Sequence, residues 1–209
     1  MPVDPRTTKI YHITDVTNLP GIVAAGGLFS DAQVRATNQN TTEIGYAHIK
    51  QRRLDEYKIS CCNGRAVGEF VPFYFCPRSP MLSTINRGNT GRPSGCQTSI
   101  VHLVSLVHHA TALGQPWAIS DGNAGANYTS FSNDNEALDN VNWDIVRSNS
   151  WGGDRLHIKM TEFLIADFFP MTSFTEIGCQ NEQVAAQVKQ IMARQIPPLR
   201  VHVSPHWYY

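Results

Sequence analysis

The sequence has no apolar run long enough to cross a bilayer, so no transmembrane helix is expected. No apolar stretch follows the charges of the opening MPVDPRTTK, which does not read as a secretory signal. An excess of either charge is also missing, with 17 Lys and Arg against 17 Asp and Glu. A protein that grips duplex DNA by its backbone carries a positive excess, so any nucleic acid here is expected to be short or single-stranded and held by a local patch and stacking. The five cysteines, Cys61, Cys62, Cys76, Cys96 and Cys179, are odd in number and contain no CxxC, so neither a disulfide framework nor a thiolate metal site is expected. Reduced thiols in a cytosolic protein are the expectation. The adjacent His108 and His109 are expected to face apart, and no metal is expected. There is no GxGxxG and no P-loop, which leaves a Rossmann or P-loop nucleotide site unsupported. Repeats and linkers are lacking too, so residues 1–209 read as a single domain.

What is present is ample core material, 42% hydrophobic and 10% aromatic. Residues 9–14 (KIYHIT) alternate as a strand, and Thr17 or Asn18 caps a short helix that stops at Gly26–Gly27. Residues 28–43 read as polar loop, 45–57 as helix and 58–69 as loop again. FVPFYFC, 70–76, is the most β-prone run, and a short helix follows over 80–87. After a glycine-rich loop at 88–97, SIVHLVSL (99–106) reads as a strand buried on both faces. A strand at 116–121, a long loop at 122–135, a helix at 136–147 with Leu138, Val141 and Ile145 on one face, and a turn-rich stretch at 148–155 come next. Residues 158–168 fit helix or strand, 176–179 strand, 181–194 an amphipathic helix and 200–204 a closing strand, after which the aromatic HWYY is expected to pack down. Six or so strands with unevenly spaced helices predict an α+β fold.

Two residues stand out chemically. In GYAHIKQRRLDEY helical spacing puts Arg52 with His48 and Glu56, and Arg53 with Ile49, Tyr57 and Tyr46. Arg52 has an ordinary solvated ion pair available to it. Arg53 points toward something partly buried, where a guanidinium needs an acceptor, either an internal carboxylate or a ligand group. Glu162, if 158–168 is a strand, shares a face with Ile158, Met160 and Leu164; a carboxylate in that company is a candidate functional acid, and on a helix it is a solvated one. His12 is a core histidine or a cleft contact. Tyr74, Arg78 and Trp151 are candidates for stacking on bases or rings.

IYHIT, NLPGIVAAGGL, IKQRR, YFCPRSPML and TEFLI, in that order along nearly the whole chain, resemble the DarT family of bacterial toxins, which ADP-ribosylate DNA bases with NAD⁺. The resemblance implies an ADP-ribosyltransferase fold, with two mainly antiparallel sheets split by an NAD⁺ cleft and flanked by helices. It places NAD⁺ contacts at His12, Ile13, Thr14, Gly21, Leu28, Phe29 and Arg53, and catalytic roles at Arg53 and Glu162. It makes the polar loop before the arginine helix the element that closes over NAD⁺, and residues 121–162 the one that presents the base. Tyr74, Arg78, Met81 and Trp151 become DNA contacts, with Lys50, Arg52, Arg155 and Lys159 as further phosphate holders. The implied substrate is thymine in single-stranded DNA, with guanine as the alternative base and an inactive nucleotide- or nucleic-acid-binding module as the alternative of another class. NAD⁺ is the implied co-substrate, a DarG-like macrodomain antitoxin the implied partner, a bacterial cytoplasm the location and a monomer the state. On this picture Arg53→Ala costs chemistry more than folding.

Overall fold

The computed structural model describes residues 2–38, 41–134, 136–193, 195 and 198–209. In chain order the elements are β1 (Lys9–Asp15), α1 (Leu19–Ala24), β2 (Gly27–Phe29), α2 (Asp31–Ala36), α3 (Ala47–Asp55), β3 (Lys58–Ile59), β4 (Arg65–Ala66), β5 (Phe70–Tyr74) and α4 (Pro80–Asn86). They continue with β6 (Ile100–Leu106), α5 (Val107–Thr111), β7 (Trp117–Asn123), β8 (Phe131–Ser132), α6 (Trp143–Arg147), α7 (Arg155–Lys159), β9 (Thr161–Ala166), β10 (Phe168–Pro170), β11 (Glu176–Cys179), α8 (Glu182–Met192) and β12 (Arg200–Val203).

Eight strands form the main sheet, in the order β12-β11-β6-β1-β5-β9-β7-β8. All neighbours are antiparallel except β11 and β12, which are parallel and joined through α8. β6 is the buried central strand expected, with Ile100, Val101, Leu103 and Val104 all at 0% exposure. The sheet is nearly two sheets. β1 follows β6 over its whole length, yet meets β5 at one pair, Tyr11 and Tyr74.

Pro72 explains the gap. The carbonyl of Pro72 accepts from the His12 ring (Nδ1 to O, 2.8 Å), so that residue turns its backbone edge toward β1. On that edge proline has no N–H, and the ladder cannot be continued. The split expected of an ADP-ribosyltransferase fold thus follows from one residue type at one register position.

One face of the sheet carries the large core of Ile10, Phe73, Leu103, Phe163 and Phe169 beneath α1, α5 and α8. On the other face, Tyr11, Ile13 and Val104 pack against Leu82, Ile85 and the C-terminal Trp207 and Tyr208, as expected of the aromatic tail.

Three sequence expectations are corrected and one left open, residues 158–168, is resolved. Residues 28–43 are not all loop: β2 pairs with β10, and Ser30 caps α2 by accepting from the Gln33 N–H. Residues 58–69 hold the β3–β4 hairpin, turned by Asn63 and Gly64 at φ of 56° and 68°. The helix expected at 136–147 is only α6; Asn142 caps it, Val146 rather than Ile145 is buried, and Asp139, Asn140 and Asn142 favour turns. Residues 158–168 are helix up to Lys159 and then strand from Thr161. Expectations for residues 39, 40, 135 and 194 fall outside the described residues.

Gly27 sets the spacing of the β2–β10 ribbon. A Cβ there would lie 2.2 Å from the Phe169 carbonyl oxygen and 2.6 Å from the Phe168 ring. Gly27→Ala is expected to cost about 2–3 kcal/mol, a fall in Tm of roughly 6–10 °C, and, since the resemblance implies NAD⁺ contacts at Leu28 and Phe29, to weaken NAD⁺ binding by displacing them. Thermal melts and an NAD⁺ titration check both.

Candidate active site

The gap between β1 and β5 opens into a cavity of about 250 Å³ whose lining includes His12, Ile13, Thr14, Leu28, Phe29 and Arg53. Tyr74 and Met81 line it as well. Four of the expected residues, Gly21, Arg78, Trp151 and Glu162, do not. Gly21 is exposed on α1, and its neighbour Ile22 lines the cavity instead. Arg78 and Trp151 lie elsewhere, each against the ring of Tyr209.

Glu162 lies directly behind Arg53. The guanidinium meets the carboxylate with two parallel bonds, Nη1 to Oε1 at 3.1 Å and Nη2 to Oε2 at 2.9 Å. The two side chains, 109 residues apart in sequence, are 13% and 1% exposed. The acceptor that Arg53 needed is therefore the other residue singled out in the sequence. β9 presents Glu162 opposite Tyr74, on the same face. Across from it β7 bulges between Ile119 and Asn123, where the Ser120 hydroxyl accepts from the Glu162 N–H (2.9 Å) and donates to the Gly122 carbonyl (2.6 Å). The bulge aims the Ala124 N–H at Glu162 Oε1, 3.3 Å away.

The electrostatics follow from burial. Burial alone pulls the Arg53 pKa down, but the charge and hydrogen bonds of Glu162 outweigh it and hold the guanidinium above its usual range. Burial, then the Glu162 charge, raises the Tyr74 phenol. Burial lowers the His12 pKa, and the bond to the Pro72 carbonyl counters it only in part. A carbonyl only accepts, so Nδ1 carries the proton and Nε2 is left as an acceptor on a ring that lines the cavity.

Arg52 makes its expected surface pair with Glu56 (2.7 Å), exposed and screened by solvent. Lys50 pairs with Asp31 at 3.1 Å and Glu43 at 3.6 Å. Tyr57 lies beyond the end of α3, buried, while Ile49 remains beside Arg53 on the cavity wall.

Sequence reasoning missed Asn18, Asn123 and Met160, all on the cavity wall. Asn18 does not cap α1 with its side chain. Its amide instead clamps residue 42, accepting from the Thr42 N–H (2.7 Å) and donating to the Thr42 carbonyl (2.9 Å), so the polar segment before α3 is tied across the mouth. An Asn already read as a cap gave no hint of that longer reach. Tyr128 was also missed; at 73% exposure its ring lies tilted against His157 (centroids 4.6 Å apart, 43° between planes), whose ring lies over Gly122 beside the bulge.

His108 and His109 do not face apart; their rings lie 4.2 Å from each other on α5. Among the described residues no group of three or more His, Cys, Asp or Glu is arranged to hold a metal, and no helix is long and apolar enough to cross a membrane.

Acid should loosen this frame. Burial pushes His102, which bonds the Pro77 carbonyl at 2.9 Å, down to about 4, and lowers His12 as well. A histidine whose folded pKa is depressed contributes stability that is complete above pH ~6.5 and is lost as pH falls, because the unfolded chain takes up the proton first. For His102 that amounts to about 3 kcal/mol by pH 4. Tm is expected to fall steadily between pH 6.5 and 4.5 in scanning calorimetry, and less steeply in His102→Asn.

Comparison with known proteins matches this geometry. A family model described as "DarT: ssDNA thymidine ADP-ribosyltransferase, DarT" matches residues 11–209. A DNA ADP-ribosyl transferase of Thermus aquaticus is 37% identical over 209 residues, 98% of this chain and 90% of the relative. The solved structure of Thermus sp. 2.9 DarT in complex with ADP-ribosylated ssDNA superposes with a TM-score of 0.91 at 31% identity, covering 100% of this chain and 99% of that one. The same DarT in complex with NAD⁺ gives 0.86 at 29% identity, with both chains covered in full. A Thermosipho africanus DNA ADP-ribosyl transferase–DNA ADP-ribosyl glycohydrolase fusion protein is 25% identical over 92% of this chain and 48% of its own length. The chain belongs to the DarT family and is an NAD⁺-dependent DNA ADP-ribosyltransferase.

Proposed function

We propose that this protein is a toxin that moves ADP-ribose from NAD⁺ to thymine in single-stranded DNA, with Glu162 and Arg53 as its catalytic residues. The observation that carries the reading is the buried two-point Arg53–Glu162 pair, whose arginine lines the cleft between β1 and β5 with the carboxylate directly behind it. The cleft fits NAD⁺ chemically: Ile13, Leu28 and Phe29 offer apolar wall to the rings, while His12 Nε2 and Thr14 offer polar groups to sugar and amide. Gly21, exposed on α1, is left out of that contact set.

Bound NAD⁺ supplies an ADP-ribosyl group that becomes positively charged on its ribose as nicotinamide leaves. A carboxylate has about four lone-pair positions. Glu162 uses two on Oε1, for Arg53 and Ala124, and one on Oε2. The remaining position on Oε2 is free for a ribose hydroxyl, so Glu162 can orient the sugar and stabilise its charge without releasing Arg53. Arg53 does not act as a base, since Glu162 holds its proton more firmly than usual. Its role is to favour the deprotonated form of the attacking base, with the proton passing to water. Tyr74 and Met81, on the cavity wall, position the base, and Tyr128 offers it a stacking face.

A monomer acting in a bacterial cytoplasm completes the proposal, with a macrodomain antitoxin that removes the modification; the glycohydrolase joined to the Thermosipho africanus relative supports such a partner. The test is a panel of single-stranded oligonucleotides, each carrying one kind of target base, incubated with NAD⁺ and weighed. Thymine-bearing strands are expected to gain one ADP-ribose. A gain confined to guanine-bearing strands reassigns the base, and NAD⁺ bound but never consumed points to an inactive binding module.

A further inference from the structure

A second cavity, about 840 Å³, lies at the other end of the β1–β5 seam. The Tyr11–Tyr74 bridge separates the two, Tyr11 lining the second cavity and Tyr74 the NAD⁺ cleft. Neighbours in sequence divide the same way at the base of β9, where Lys159 lines the second cavity and Met160 the cleft.

Its charge is unbalanced. Lys159 is 2% exposed, and its ammonium donates to the carbonyls of Val146 (2.5 Å) and Ser148 (2.9 Å). Among the described residues no carboxylate pairs with it, nor with Arg78 or Arg147, which line the same space. Arg147 lies over the Trp143 ring at 4.9 Å, and Arg78 over Tyr209 at 4.5 Å with its Nε buried and lacking an acceptor. The one carboxylate on the wall, Asp4, accepts from the Arg6 backbone N–H. A buried ammonium without a counter-ion is costly, and Lys159 together with the half-buried Arg78 and the exposed Arg147 gives this cavity a wall suited to an anion.

We propose that this cavity holds the backbone phosphate of the nucleotide flanking the modified base, gripped by Arg78, Arg147 and Lys159. The proposal rests on the transferase reading above: with the target base held in the cleft beside Met160, the adjoining cavity lined by Lys159 is the neighbouring space for the next phosphate. Guanidinium groups suit phosphate because they donate in a planar fork. Lys159, already fixed by two carbonyls, supplies charge at a set position.

The test compares wild type with an Arg78→Gln/Arg147→Gln double variant and with Lys189→Gln, an exposed lysine on α8. Fluorescence anisotropy with a labelled thymine-bearing oligonucleotide is read over a range of salt, and NAD⁺ affinity is measured calorimetrically. The double variant is expected to bind the oligonucleotide roughly tenfold more weakly, with its log–log salt slope reduced by about one. NAD⁺ affinity stays at the wild-type value, which verifies the fold, and Lys189→Gln changes nothing. Replacing the flanking phosphate by a methylphosphonate weakens binding to wild type and has no further effect on the double variant. Equal oligonucleotide affinity and slope in wild type and double variant overturn the proposal, as does a cavity that takes inorganic phosphate without affecting the strand. Wild-type protein that binds NAD⁺ but no single strand overturns the transferase reading itself, an outcome distinct from loss of the cavity alone.

Discussion

Glu162→Gln is expected to slow ADP-ribosyl transfer by a factor of about 10²–10³ while leaving NAD⁺ affinity within about tenfold. The amide keeps the volume and one accepting oxygen, so the Ala124 N–H and one arm of Arg53 remain bonded. What goes is the negative charge that the proposed mechanism sets against the ribose as nicotinamide departs. A charge needed only in the transition state shows in kcat rather than KM. Glu162→Ala is the poorer test. It leaves the guanidinium, 13% exposed, with no partner, and removing one member of a buried pair costs about 3–5 kcal/mol. Lost activity would then mix chemistry with unfolding. Steady-state rates for the Gln variant, with a melt alongside, separate the two.

Arg53→Ala is expected to remove both transfer and a large part of the stability. Glu162 would keep the Ala124 N–H as its bonded donor while 1% exposed. The cost of about 3–5 kcal/mol lowers Tm by roughly 10–15 °C in a chain of this size. The sequence expectation that this substitution costs chemistry more than folding is joined by a sizeable folding cost, because the arginine's acceptor is the buried Glu162 itself. Arg53→Lys restores the charge but not the two parallel bonds, so it should recover part of the melting temperature and little of the transfer. A melt and an oligonucleotide mass measurement on both variants check the pattern; full activity in the lysine variant contradicts the two-point role.

Some of this arrangement was legible before any coordinates. The buried β6 follows from an unbroken apolar run, and the two faces of α3 follow from helical spacing around Arg52 and Arg53. Pro72 stood in plain view, yet its meaning depended on which strand lay on its N–H side, a fact of register rather than of composition. The bulge opposite Glu162 is of the same kind: Ser120 and Gly122 read as the end of a strand and the start of a loop, and only pairing with β9 shows two residues inserted. Asn18 and Tyr128 escaped because their partners lie outside the local pattern, across the cleft in one case and on α7 in the other. Gly21 is the opposite case: its stretch borders the cleft, but its neighbour Ile22 lines the wall instead.

The most direct check of the Arg53–Glu162 centre is to incubate the full chain with NAD⁺ and a thymine-bearing single strand and to measure nicotinamide and strand mass in the same sample. One nicotinamide released for each strand made heavier by one ADP-ribose, with both signals suppressed together in Glu162→Gln, is the expected result. Nicotinamide released without any strand gaining mass, or a Gln variant as fast as wild type, contradicts it.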